Sequence, residues 1–170
     1  MNFTKNIKLN KNDINFRIVN IIMIITILCT MLFCICVYND NQKIENISLS
    51  NVKYNEESIE YYIDNVRQSD NTIQIIGWVI KRGESIKRVD TNILLKDLET
   101  NEVFKINTRM NKRENLNEAF NDGNNYMYGG FFSKVFKRKL NSNHEYEILI
   151  LYNNNDNNIL INTNQTIKLK

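Results

Sequence analysis

The chain has 170 residues, no proline and a formal net charge of +3. Beyond Tyr38 the acidic and basic side chains are equal in number, so that part lacks the basic excess a nucleic-acid-binding domain needs. All three cysteines, Cys29, Cys34 and Cys36, lie near the N-terminus, which excludes a disulfide framework or a thiolate zinc site in the remainder. Asn and Ile are abundant and Ala119 is the only alanine. Residues with AT-rich codons dominate, as in the proteins of a low-GC Gram-positive bacterium. The Asn residues sit between patterned apolar runs, unlike those of a prion-like tract.

Residues 1–17 form a basic tail, with Lys5, Lys8, Lys11 and Arg17 against Asp13. Ile18 to Tyr38 then reads IVNIIMIITILCTMLFCICVY without a charge. As a helix it spans roughly 30 Å, the thickness of a bilayer's hydrocarbon core. A signal peptide has a shorter apolar region of about 7–15 residues and a small-x-small cleavage site. Here Leu28 precedes Cys29, Phe33 precedes Cys34, and no Ala or Gly pair follows. The expectation is an uncleaved, single-pass signal anchor held in the membrane bilayer by residues 18–38. Its basic tail stays cytoplasmic, which places the C-terminal part outside the cell. Tyr38 falls at the outer interface, and Thr26 and Thr30 form one small-xxx-small pair. The cysteines read first as apolar fillers facing lipid; acylation near the outer end is the second reading.

Residues 39–57 are polar and lack periodicity, and are expected to be a linker or stalk. From residue 58 to 170 short runs alternate with period two. Ile59, Tyr61 and Ile63 form the first. In the second, Ile73, Ile75 and Gly77 face one way and Ile76, Trp78 and Ile80 the other. Further strands are expected at Val89 to Leu95, Val103 to Thr108, Gly129 to Phe136, Tyr146 to Tyr152, and through Ile159, Ile161, Ile167 and Leu169. Polar turns at Lys81–Ser85, Leu98–Asn101 and Asn153–Asn158 separate them. About seven strands at this spacing predict an all-β fold, an antiparallel Ig-like β-sandwich. Asn111 to Asn121 breaks the rhythm, with Leu116 and Phe120 four apart, and predicts a helical turn or short helix.

The usual catalytic sets are missing. His144 is the only histidine and, beside Glu145, reads as a surface residue. No G-x-S-x-G, Walker A or G-x-G-x-x-G pattern occurs. Asp122-Gly123-Asn124-Asn125 and Asp156-Asn157-Asn158 are explained as turns and do not match an EF-hand loop. No metal, cofactor or catalytic residue is expected. The alternative is an enzyme acting on surface polymer through a carboxylate pair, with Glu118 and Asp122 sharing one face if the helix reaches that far.

Three elements stand out together: Ile76-Gly77-Trp78-Val79, Arg113-Glu114-Asn115-Leu116 through Phe120, and Gly129-Gly130-Phe131. Leu140, Tyr146, Ile148 and Ile150 follow them. This order, over about Ile59 to Leu169, resembles a β-sandwich module of low-GC Gram-positive cell-surface proteins with the pattern I-x-G-W, R-x-D, G-G-F. The resemblance implies an appendage of membrane proteins and surface-polysaccharide glycosyltransferases, with cell-wall glycan or an envelope protein as partner. One departure is that Asn115 stands where the pattern has Asp, so an Arg–Asp contact there would be rewired.

Trp78, Arg113 and Asn115 are the candidate ligand-binding residues. Each has a structural reading beside the functional one. Trp78 is a core anchor between sheets or an exposed sugar-stacking ring. Arg113 ties its connection to a sheet or holds a ligand. Gly77 permits a close approach, and Gly129-Gly130 marks a bulge or bend. Lys134, Lys137, Arg138 and Lys139 protect a strand end or touch anionic wall polymer or lipid headgroups.

Overall fold

The computed structural model describes residues 11–40, 43–49, 52–54, 57–88, 90–154 and 157–169, except for the side chains of residues 11–15. Lys5, Lys8, Val89 and Asp156 lie outside these residues, as do the side chains of Lys11 and Asp13. The chain divides into two units, Met1–Asn41 and Gln42–Lys170.

The first unit is one helix, α1 (Lys11–Asp40). Its segment Phe16–Asp40 is long and apolar enough to cross a membrane. Apolar residues surround the whole circumference and every side chain from Phe16 onward is exposed, so the helix has no polar face to turn towards water. The only hydroxyls in its middle are satisfied within the helix. Thr26 Oγ1 donates to the Ile22 and Met23 carbonyls at 2.9 and 2.8 Å, and Thr30 Oγ1 to those of Thr26 and Ile27 at 3.0 and 2.8 Å. Back-bonding of this kind removes the cost of a bare hydroxyl in an apolar medium.

The second unit is mostly β. Its elements are β1 (Glu45–Asn46), β2 (Lys53–Tyr54), β3 (Ile59–Gln68), β4 (Thr72–Lys81), β5 (Asn92–Asp97), β6 (Val103–Lys105), β7 (Asn107–Asn111), α2 (Asn115–Phe120), β8 (Gly130–Phe136), β9 (Glu145–Asn154) and β10 (Asn157–Lys168). They form a four-stranded sheet in the order β3-β4-β8-β7 and a six-stranded sheet in the order β1-β6-β5-β9-β10-β2. Every pairing is antiparallel except β2 with β10.

Period-two alternation builds the shared core. Ile73, Ile75 and Val79 of β4 and Phe131 and Val135 of β8 meet Ile93, Leu95, Ile148, Ile150, Ile159 and Ile161 of the larger sheet. Each fully buried aliphatic side chain contributes about 1.5–3 kcal/mol relative to exposure. Tyr152 reaches into this core with its hydroxyl buried and no hydrogen-bond partner among the described residues. Burial pushes its pKa up to about 12.

Two expectations are corrected. The single strand expected from Val103 to Thr108 is two strands in different sheets. Ile106, almost fully buried, bonds from its N–H to the Ile93 carbonyl at 3.1 Å, and the chain changes sheets there. Uniform alternation hides this switch, because β6 and β7 both present a buried side to the same core. The expected stalk is not bare linker either. Glu45–Asn46 pairs with β6 and Lys53–Tyr54 with β10, at the two edges of the larger sheet. Between them Ile47, Leu49 and Val52 pack on its outer face against Leu94, Val103, Leu149 and Leu160. Three apolar residues scattered among polar ones carry this strap, too few to register as a period.

Candidate functional site

The motif residues assemble on the outer face of the four-stranded sheet. In β4, Ile75, Gly77 and Val79 point to the core, so the pleat sends Ile76, Trp78 and Ile80 outward. Trp78 therefore does not stand between the sheets, as the core-anchor reading expected. It is half-buried and meets Phe120 of α2 edge-on, with centroids 5.6 Å apart; Phe120 meets Tyr126 in the same way at 5.6 Å. Ile80, Leu116 and Tyr126 form the buried base of this satellite cluster. The Arg82 guanidinium lies 5.2 Å over the Phe120 ring and pairs with Glu60.

Arg113 leaves the end of β7 and crosses the sheet to edge strand β3. Its Nη1 lies 2.7 Å from Asp64 Oδ2 and its Nη2 3.4 Å from Oδ1. Asp64 projects from a bulge where the β3–β4 register shifts between Ile63 and Asn65. Gly130, directly opposite Trp78 in register, has no side chain because the Arg113 stem and the Asn111 carbonyl occupy that space. Gly77 is held for a similar reason: a Cβ there would strike the Tyr62 carbonyl oxygen and the Phe131 ring. The three motif elements thus make one clip. Arg113 has its carboxylate, supplied by Asp64 rather than by position 115. Asn115 is exposed at the start of α2.

The turn after α2 is tied by its own polar atoms. Helix α2 ends at Asn121, whose left-handed backbone (φ 40°) closes an N–H bond to the Asn117 carbonyl. Tyr126 Oη donates to Asp122 Oδ2 at 2.5 Å and accepts from the Gly83 N–H at 2.8 Å. The Tyr126 bond holds the Asp122 carboxyl below its ordinary range, while burial, and then Asp122, push the phenol up. Asn124 N–H donates to Asp122 Oδ1 and Ser85 Oγ to Asn124 Oδ1, both at 3.0 Å. Glu118 and Asp122 share no helical face, since α2 stops at Phe120; both are exposed, and Asp122 is committed to Tyr126.

Sequence reading missed one long-range, part-buried pair. His144 Nδ1 lies 2.6 Å from Asp97 Oδ2, joining residues 47 apart in the chain. Asp97 Oδ1 also accepts from the N–H groups of Glu99 and Thr100 at 2.9 and 3.1 Å. Burial works to raise the Asp97 pKa, but these hydrogen bonds, led by that of His144, leave it lowered. The same contact raises His144. Glu99 adds a third ligand-type atom within 4.8 Å, but the Asp97 oxygens are already spent on protein donors. The local signal is an Asp directly before a polar turn, which by itself says only that a turn is capped.

A second concavity lies on the opposite side of the domain. A groove of about 670 Å³ runs beside the strap, lined by Ile47, Leu49, Tyr54, Lys96, Glu147 and Leu160 among others. Lys96 and Glu147 are direct cross-strand neighbours, yet they form no ion pair with each other or with any other described residue. Compared with known proteins, the chain matches no family model, no curated protein and no solved structure.

Proposed function

We propose that this chain is a single-pass membrane protein with a cytoplasmic N-terminus. It displays an Ig-like β-sandwich at a bacterial cell surface, where it binds or assembles with envelope components, cell-wall or capsular polysaccharide among them. The observation that carries this reading is the apolar helix Phe16–Asp40, followed within a few residues by a β domain. The basic residues Lys5, Lys8, Lys11 and Arg17 support the orientation.

The Ig-like assignment rests on topology. Lettering β3, β4, β5, β6, β7, β8, β9 and β10 as A, B, C, C′, D, E, F and G turns the two sheets into A-B-E-D and C′-C-F-G, flanked by β1 and β2. Tyr146, near the start of the F strand, accepts a bond from the Asn141 N–H at 2.7 Å, the tyrosine corner of this fold class. A binding role is favoured over catalysis because Glu118 and Asp122 converge on no common site.

Topology is the decisive test. The native cysteines all lie within α1, so a Ser142→Cys variant places one reactive thiol on an exposed turn. In intact cells a membrane-impermeant maleimide should label this variant and leave the parent unlabelled. Labelling only after lysis would overturn the orientation, and recovery of the chain from the soluble fraction would overturn the anchor.

A further inference from the structure

The outer face of the four-stranded sheet changes character beyond the Arg113 clip. Cross-strand register places Arg67, Gln74, Lys134 and Asn107 in one row across β3, β4, β8 and β7, and Ile76, Phe132 and Arg109 in the next. Along β8 the outward positions are Phe132, Lys134 and Phe136, and the helical turn Lys137–Lys139 follows directly. Cations lie over both rings: Arg109 is 5.5 Å from the Phe132 centroid, and Lys134 and Arg138 are 5.0 and 5.6 Å from that of Phe136. Arg67, Arg109 and Lys139 are exposed. None of these three, nor Lys134, forms an ion pair with a described residue. The carboxylates at the other end of the face, Asp64 and Glu60, are already neutralised by Arg113 and Arg82. Asp70, in the β3–β4 turn, is the nearest acid in sequence to this end.

A domain with balanced charge thus concentrates cations on half of one sheet face, and Arg67, Arg109, Lys134 and Lys139 among them have no ion-pair partner among the described residues. With strands about 4.8 Å apart and a rise of about 3.4 Å per residue, the array covers roughly 14 Å across the sheet and 13 Å along it. It is a strip rather than a pocket, so a single small anion meets one or two cations and an extended polyanion meets most of them. The aromatic rings lie half-buried beneath the cations instead of projecting, which suits ionic contact better than insertion between lipid tails.

We infer that this strip, made by Arg67, Arg109, Lys134, Arg138 and Lys139, binds a phosphodiester-linked polyol or glycan chain of the cell envelope. The inference rests on the outward display proposed above and names the ligand class for it.

The test uses the full chain in nanodiscs of zwitterionic lipid, with synthetic poly(glycerol phosphate) as the probe and neutral dextran as the control. Binding is expected to the polyphosphate alone, weakening steeply as salt rises because bound counterions are released. The triple variant Arg109→Gln, Lys134→Gln, Arg138→Gln should lose about tenfold or more in affinity, with a shallower salt slope. A second variant, Arg67→Glu with Lys139→Glu, alters only exposed side chains and should do the same even if the triple variant folds poorly. Lys53→Gln, on the other sheet, should bind like the parent.

Parent-like binding by the charge-reversed variant overturns the inference. So does stronger association with phosphatidylglycerol vesicles than with the polymer, which would make the strip a lipid-headgroup site. Cytoplasmic labelling of Ser142→Cys alongside intact polymer binding would instead remove the reading on which the inference rests.

Discussion

The two outer faces of the β domain are closed by different means. On the four-stranded sheet, the connection from β7 to β8 folds back through α2 and seals half the face with a charged clip and three aromatic rings. On the six-stranded sheet, a strap from outside the core strands crosses the face and leaves a groove of about 670 Å³ beside it. The first closure is specified residue by residue; glycines are required where backbone and Arg113 approach. The second relies on a few half-buried aliphatic contacts and two short edge pairings. Specific geometry makes the first face intolerant of substitution, whereas the strap should tolerate it at modest cost.

Gly77→Ala should show that intolerance most strongly. The new methyl would press on the Tyr62 carbonyl and the Phe131 ring, and backbone cannot yield as a flexible side chain can. A loss of about 3 kcal/mol is expected, read as a fall of about 10 °C in melting temperature. A melting temperature within 2–3 °C of the parent (roughly the error of such a conversion) would mean that the bulge at Asp64 absorbs the strain.

Removal of the clip comes next. Arg113→Ala leaves Asp64 partly buried without its partner and should cost about 2 kcal/mol. Asp64→Asn should cost less, and the two together should fall short of their sum by about 1 kcal/mol. Strict additivity would show that Arg113 stabilises through its stem over Gly130 and not through the ion pair.

Ile47→Ala with Leu49→Ala probes the other face. Both side chains are half-buried, so together they should cost about 1–1.5 kcal/mol. They should also raise the binding of a hydrophobic dye, because Leu94, Leu149 and Leu160 beneath them become accessible. A loss as large as that of Gly77→Ala would contradict the difference between the faces.

The sequence revealed these two closures unequally. Strands β3, β4, β8, β9 and β10 were legible because alternating Ile, Tyr and Phe residues need a two-sided pleated setting. The I-G-W, R and G-G-F elements lie near one another in the fold, yet no pattern in the sequence points to Asp64. It lies 49 positions from Arg113 and is selected only because a bulge turns it outward. Alternation places Trp78 opposite Gly77 on its strand, but not its neighbour Phe120. Both faces of β4 are apolar, so alternation could not say which one meets the second sheet. The strap is not legible in the sequence because its pairings are two residues long, and such pairings are set by tertiary contacts rather than propensity.

A third contact belongs to neither outer face and differs from both in its response to pH. Asp97 ends β5 in the larger sheet, while His144 lies in the connection that carries the chain from β8 to β9, so their pairing locks the crossover between sheets. His144 serves two partners, with Nδ1 2.6 Å from Asp97 Oδ2 and Nε2 2.9 Å from Asn141 Nδ2. Because the fold raises the His144 pKa above its ordinary 6.5, the charged pair contributes fully below that value. The contribution is lost as pH rises through the higher folded value. Asp97 is lowered from 3.8, so its share is present above that pH and disappears as pH falls through the lower folded value. The pair should therefore stabilise most between about pH 4 and 6.5. The parent's melting temperature should decline across the alkaline side of this window, from about pH 6.5 upward, and His144→Asn should lack that decline. The step is the smallest of the effects considered, since the imidazole edge is open to solvent and screened. Parallel melting profiles for parent and variant, or an imidazole titration midpoint at or below 6.5 by NMR, would show that the crossover is held by the backbone N–H bonds to Asp97 alone.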